Sequence, residues 1–181
     1  MIIKMEEEYF ELCKSHLVEN PAPIVGLDTS RYKYRMSAQE FDAIEDVCVA
    51  YFAGDEAQEL CDLIIEPTLL LSDRMKRVFE LYEDKMEFKG VQLYPMSQNC
   101  TKYPLYWIPK FCEGDFLHHS TIFYDNGIIQ ELVLNRKKLG EYSIVRITDS
   151  AQYRIIVSLP VVESLLRRRM YGIEIHKVKM A

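Results

Sequence analysis

The clearest periodic signal in the chain begins after residue 72. Met75, Val78, Phe79, Tyr82 and Met86 follow one another at steps of three, one, three and four, which puts them on one stripe of an amphipathic helix. The stretch "LLLSDRMKRVFELY" (69–82) supplies its start: three leucines, Ser72 where an N-cap belongs, and Asp73 to complement the helix dipole. The spacing predicts a helix over about 72–86. The same plan returns in "IIVSLPVVESLLRRRMYGIEI". There Ser158 takes the cap position and Pro160 falls in the first turn, where its missing N–H is tolerated. Val162, Leu165, Leu166 and Met170 form the stripe, and Arg167 to Arg169 suit the negative end of the dipole. This predicts a second helix over about 158–171, ended by Gly172 and followed by a strand in "IEIHKV".

Elsewhere the pattern is β-like. "YFELC" (9–13), "VCVAYF" (47–52) and "VQLYPM" (91–96) read as strands, and "RYKYRM" (31–36) as a short one. Ser37 with Glu40 three residues on is a capping box for a short helix. The prolines of "KYPLYWIPKF" (102–111) suit an edge strand. "TIFYDNGIIQELVL" (121–134) is a hairpin signal around Asp125, Asn126 and Gly127. "NRKKLGEYSIVRI" (135–147) reads as a turn and another strand, with the basic run 136–138 solvated in the turn. The order of elements is α+β, with a mixed or mainly antiparallel sheet and two main helices. A chain of 181 residues suits a single domain over 1–181, with 1–66 an acidic N-terminal subregion.

Charge sharpens that subregion. Residues 1–66 hold 15 Asp and Glu against 5 Lys and Arg, whereas residues 67–181 hold 13 against 17. So concentrated an acidic excess argues against nucleic-acid binding by this segment; it could attract a basic protein partner, or form a well-solvated acidic face. No apolar run approaches the roughly 20 residues of a bilayer span, and "MIIKMEEEYF" lacks the core of a signal peptide. The expectation is a cytoplasmic protein without membrane association. The five cysteines (13, 48, 61, 100 and 112) form no CxxC pair, so reduced thiols are expected rather than a disulfide framework or zinc ribbon.

Candidate chemistry is thin. Ser72 and Ser158 follow apolar runs, as a nucleophile does, but neither has the glycines of a G-x-S-x-G turn. Both read as caps. "SRYK" (30–33) matches S-x-x-K without the companion motifs of penicillin-recognising enzymes. "CEGDFLHHS" (112–120) is the densest reactive cluster. A small thiol-dependent hydrolase could use Cys112 with His118 or His119 as base, since an imidazole within hydrogen-bond reach lowers a thiol's pKa. Asp115 could join these residues at a metal, but no second ligand group with zinc spacing appears. Nothing calls for a cofactor or a metal.

Residues 62–178 as a whole resemble a known group. Its pieces are "DLIIEPTLLLSDRMKRVFELY", the aromatic "YPLYWIPKF", the D-x-x-x-x-S of "DFLHHS" (Asp115 to Ser120) and the closing "IIVSLPVVESLLRRRMYGIEIHKV". Their order is similar to bacterial immunity proteins of polymorphic toxin systems, in the α+β group first catalogued as a domain of unknown function. "YWIP" stands where that group has leucines and an asparagine. The resemblance implies a non-catalytic cytoplasmic protein that binds and neutralises a cognate toxin encoded beside it. An adaptor of the same fold with another partner is the alternative. Charge density alone nominates Glu40, Asp42, Glu45, Asp46, Asp55, Glu56 and Glu59 as contacts with a basic toxin.

Overall fold

In the computed structural model, which describes residues 7–33, 35–53, 59–148 and 154–181, the chain alternates short strands with four helices. The first part runs β1 (Tyr9–Lys14), β2 (Ile24–Val25), α1 (Ala38–Ala43), β3 (Val47–Phe52), β4 (Leu63–Ile64), β5 (Leu70–Ser72) and α2 (Asp73–Tyr82). Next come β6 (Glu87–Pro95), β7 (Leu105–Lys110), β8 (Glu113–Gly114), β9 (Ile122–Phe123), β10 (Ile129–Glu131) and β11 (Val133–Leu134). The chain closes with α3 (Arg136–Leu139), β12 (Ile144–Ile147), β13 (Arg154–Ser158), α4 (Leu159–Arg167), β14 (Ile173–Lys177) and β15 (Lys179–Met180). The fold is α+β and mostly sheet. It divides into two compact units, one of residues 14–110 and 169–174, the other of residues up to 13, 111–168 and 175–181.

The unit of residues 14–110 and 169–174 is built on a six-stranded sheet in the order β2-β3-β6-β7-β5-β4. The β3–β6 pair is parallel and the others antiparallel. Side chains alternate across the strands. Ala50, Phe52, Val91, Leu93, Tyr106, Ile108 and Leu70 point to one face, where Phe41 of α1, Tyr32, Met36 and Ile44 join them in the core. α2 packs on β5 and β7. Its Met75, Val78 and Phe79 are fully buried, and each contributes roughly 1.5–3 kcal/mol, which a helix this short needs. The two edge strands of the sheet approach each other at one end. Pro21 bridges Glu59 in parallel, the Ala22 N–H donates to Glu59 O at 2.9 Å, and the Glu59 N–H donates to Asn20 O at 3.2 Å.

The other unit holds a five-stranded sheet, β14-β1-β13-β12-β8, antiparallel at β1–β13 and β13–β12 and parallel at β12–β8. Tyr9, Phe116, Leu134, Leu139, Val145, Ile147 and Ile156 form its core. α4 lies on β13. The predicted hairpin is present: β9 and β10 pair antiparallel, Gly127 takes a φ of 76°, and its N–H donates to Tyr124 O.

Several expectations change. Both helices are shorter than their apolar stripes suggest, ending at Tyr82 and Arg167. Glu83 leaves helical geometry at φ −135°, and Arg169 takes a φ of 51° ahead of Gly172. β7 is central, not an edge. The Leu93 N–H donates to Pro104 O, which fixes the alternation and turns the missing amide of Pro109 toward β5. β5 spans only Leu70–Ser72 and pairs with Trp107 and Tyr106, so Pro109 lies beyond that ladder. No strand forms over 31–33 or 35–36: Asp28 O accepts the N–H groups of Arg31 and Tyr32 and closes a turn. The basic run 136–138 is the helix α3, because the Asn135 side chain accepts the Lys137 and Lys138 N–H groups as a cap.

Candidate partner-binding face

The acidic candidates cluster around α1 and the start of β3, and each described one takes a hydrogen bond from a neighbour. Glu40 closes the predicted capping box with Ser37 and pairs with Lys33 at 2.5 Å. The Lys33 ammonium, then the Ser37 N–H and hydroxyl, hold its carboxyl down at about 2. Asp42 accepts from Lys110 at 2.7 Å, and Asp46 from Lys89 at 2.6 Å. The two ammonium groups lie 5.4 and 5.7 Å from the ring of buried Phe41, an attractive cation–π arrangement. Glu45 accepts from the Tyr32 hydroxyl at 2.6 Å and from Arg31 at 2.8 Å, and Tyr32 foremost holds its carboxyl at about 2. Glu59 accepts from the Tyr171 hydroxyl, which raises that phenol to about 12. Asp55 and Glu56 lie outside the described residues. The acidic residues thus form a locally compensated border rather than a bare negative field.

The bare surface is next to them. On the face of the six-stranded sheet opposite its core, α2 packs on the β5–β7 side and reaches the start of β6. There Lys76 sits 4.5 Å from the Trp107 ring centroid and 5.1 Å from that of Phe88, and the Trp107 Nε1–H donates to Asp73 at 3.2 Å. The β3–β6 side is uncovered. Val47, Val49 and Tyr51 project from β3, Tyr94 from β6 and Val25 from β2, all exposed, with Val47 at 59% and Tyr51 at 45%. The register places Val25, Tyr51 and Tyr94 side by side. The Tyr51 and Tyr94 rings are 6.4 Å apart, and Tyr103 meets Tyr94 edge-on at 5.6 Å. Gly26 lies under Tyr51: a Cβ there would come within 2.9 Å of the ring. Such a contiguous aromatic and aliphatic face can bury apolar area against another protein while its hydroxyls stay hydrogen-bonded at the rim. The sequence carried a signal for it, since odd-numbered apolar residues of "VCVAYF" alternate with buried ones, but the run reads equally as a strand buried on both faces.

Ser72 is a cap and more. Its Oγ accepts the Met75 N–H at 3.2 Å and donates to Asp62. Asp62, 5% exposed, also accepts from Arg74 at 2.6 Å and from the Tyr171 N–H at 2.7 Å. The Asp62 N–H donates back to Tyr171 O. One carboxylate therefore ties the start of α2 and residues 169–174 to β4. The Ser72 hydroxyl is thus used both ways, as the cap of α2 and as a donor to Asp62. Ser158 differs from its expectation: it sits at the N-cap of α4 but makes no side-chain cap bond, and its buried Oγ has no hydrogen-bond partner among the described residues.

In the other unit, Cys112 packs against the core. His118 Nδ1 lies 2.8 Å from Ser120 Oγ, and the His118 and His119 rings are 3.9 Å apart. No hydrogen bond links Cys112 to either ring among the described residues. Asp115 accepts the Leu117 N–H and the Lys138 ammonium, so the D-x-x-x-x-S segment is a hydrogen-bonded turn. Among the described residues no three of His, Cys, Asp and Glu are grouped to hold a metal, and no helix is long and apolar enough to cross a membrane. No family model matches the chain, and no curated protein does.

Proposed function

We propose that the protein acts by binding another protein: an immunity protein that neutralises a cognate bacterial toxin domain in the cytoplasm, without catalysis of its own. One observation carries this reading. The uncovered half-face of the six-stranded sheet presents Tyr51, Tyr94 and Tyr103 with Val25, Val47 and Val49. Tyrosines on a rigid strand scaffold supply large contact area at small entropic cost, and aromatic residues dominate the energy of protein interfaces. The resemblance of residues 62–178 to immunity proteins points to the kind of partner. Glu45 and Asp46 border the face immediately before Val47, and the net charge of −6 favours a basic toxin by steering. The acidic groups already have cations of their own, so area rather than charge provides the affinity.

The test is a growth assay. The C-terminal domain of the protein encoded beside this one is expressed with and without the chain. Killing that is relieved by the chain, and restored by the double variant Tyr51→Ala/Tyr94→Ala, supports the reading. A harmless neighbour, or killing the chain does not relieve, removes the toxin reading. Relief untouched by the double variant moves the contact elsewhere.

A further inference from the structure

The curl of the six-stranded sheet leaves a gap between its own edges. Among the described residues, β2 and β4 are held together where Pro21 meets Glu59. Beyond that point they part around a groove of about 520 Å³. One wall is Pro21 to Ile24, the other Leu63 to Pro67, with Cys61 on the floor and Thr29 and Lys14 beside it. Ala22, Ile24, Cys61 and Leu63 are buried, so the floor is apolar. The volume lies within the usual range of about 300–1,000 Å³ for ligand sites.

The backbone says what shape of ligand it suits. The Ala53 N–H donates to Pro23 O, so in the β2–β3 ladder Pro23 and Val25 are the bonded positions. Ile24 then turns its N–H and C=O away from β3, toward the groove. On the other wall the Ser72 N–H donates to Asp62 O, which makes Asp62 and Ile64 the positions that bond β5. Leu63 and Ile65 turn their polar groups outward, toward the same groove. Two strand edges whose outward donors and acceptors have no partner among the described residues therefore face each other across an apolar floor. A helix or a globular small molecule would leave those groups unpaired, while an extended chain pairs with them. Leu63 and Ile65 are ~7 Å apart at the rise of a strand, enough to pair with about three residues of a guest.

We propose that this groove binds an extended peptide segment of a partner protein, which adds a strand between β2 and β4 and completes the circuit of the sheet. The guest carries apolar side chains for the floor and a lysine or arginine at the mouth. Glu66 is exposed at the open end of its wall, while the Glu59 carboxylate, at the closed end, already accepts the Tyr171 hydroxyl. This rests on the reading of the chain as a protein-binding module but not on the partner being a toxin.

The experiment uses the full chain as bait for a displayed library of random seven-residue peptides, with the two best-enriched sequences synthesised. Two bait variants change exposed lining residues: Thr29→Trp fills the groove, and Glu66→Lys reverses charge at its mouth. The expected result is peptides with alternating apolar residues and a Lys or Arg. Affinity falls about tenfold or more when alternate amides of the peptide are N-methylated, since each lost backbone bond contributes a factor of several. Thr29→Trp abolishes binding and Glu66→Lys weakens it. Failure to enrich any peptide, binding indifferent to N-methylation, or equal binding to Thr29→Trp overturns the proposal. Growth rescue by the chain alongside any of those results removes the groove and leaves the neutralising reading. Groove binding without rescue does the reverse.

Discussion

Replacing Asp62 by alanine tests the account of how the unit of residues 14–110 and 169–174 is tied. The wild-type carboxylate, its side chain 7% exposed, accepts from the Ser72 hydroxyl, the Arg74 guanidinium and the Tyr171 N–H. Hydrogen bonds to a charged acceptor contribute about 1.5–3 kcal/mol each. The Arg74 share is discounted, because that side chain is 58% exposed and returns to water when its partner is lost. The Ser72 and Tyr171 donors remain, giving an expected loss of about 3–5 kcal/mol. The assay is urea unfolding followed by fluorescence of Trp107, the chain's single tryptophan, which lies in β7 of the same unit. With a slope of about 2 kcal/mol per molar urea, the midpoint should fall by roughly 1.5–2.5 M. Ser72→Ala should cost about 2–4 kcal/mol, as loss of a cap plus one carboxylate bond. The double variant should cost less than the sum of the two, because the side chains share a bond. A midpoint shift below about 0.3 M for Asp62→Ala at unchanged slope would refute the view that this carboxylate holds residues 169–174 in place.

Gly172→Ala should destabilise the same unit by at least about 1 kcal/mol: its φ is 76°, and a Cβ there would stand 2.5 Å from Cys61 Sγ. A change within about 0.5 kcal/mol in the same urea assay would show that Cys61 yields freely. Glu45 titrates at about 2 in the fold against an ordinary 4.5. Its contacts therefore stabilise fully above about 4.5 and are lost as pH falls toward 2, and Tyr32→Phe should move the carboxyl's NMR titration midpoint upward; an unmoved midpoint would discard the Tyr32 bond. In partner binding, Tyr94→Ala should cost about 2 kcal/mol or more, while charge reversal at Glu45 and Asp46 should mainly slow association in a salt-dependent way, separable by surface-based kinetics. Ser158→Ala should be neutral or stabilising by up to about 1 kcal/mol, opposite in sign to an ordinary N-cap loss; a thermal melt followed by circular dichroism that falls like that of Ser72→Ala would show a bond at Ser158.

What the sequence disclosed was local. The Ser37–Glu40 box, the hairpin around Gly127 and the start of α2 all depend on residues within a few positions, and each appears where its signal lies. The misreadings depend on distant partners. Pro109 marks an edge strand by its own chemistry, and only the brevity of β5 lets it sit inside the sheet. Asp42 and Asp46 looked available to a partner because their cations, Lys110 and Lys89, lie more than forty residues away in the chain. The aromatic face depends on which half of the sheet α2 covers, and no local pattern encodes that.

The two serines isolate the point. Ser72 and Ser158 share an apolar approach, an N-cap position and extended backbone, with φ of −62° and −74°. At Ser72, a carboxylate ten residues upstream, just before β4, accepts the hydroxyl's hydrogen bond, while the oxygen caps Met75. At Ser158, Pro160 removes the N–H of the second helical position and the hydroxyl makes no bond to the third. One residue type in one local motif is thus a connector in the first case and, among the described residues, a buried hydroxyl without a partner in the second. Asp62 accounts for the connector at Ser72, whereas at Ser158 Pro160 removes only the second-position donor and the third, Val161, keeps its N–H. Introducing a donor in place of Pro160, as Pro160→Ala, should restore part of the cap and make Ser158→Ala costly in that background by about 1 kcal/mol. If the two substitutions instead remain additive, the missing amide is not what leaves Ser158 unbonded, and the helix axis rather than the proline sets its geometry.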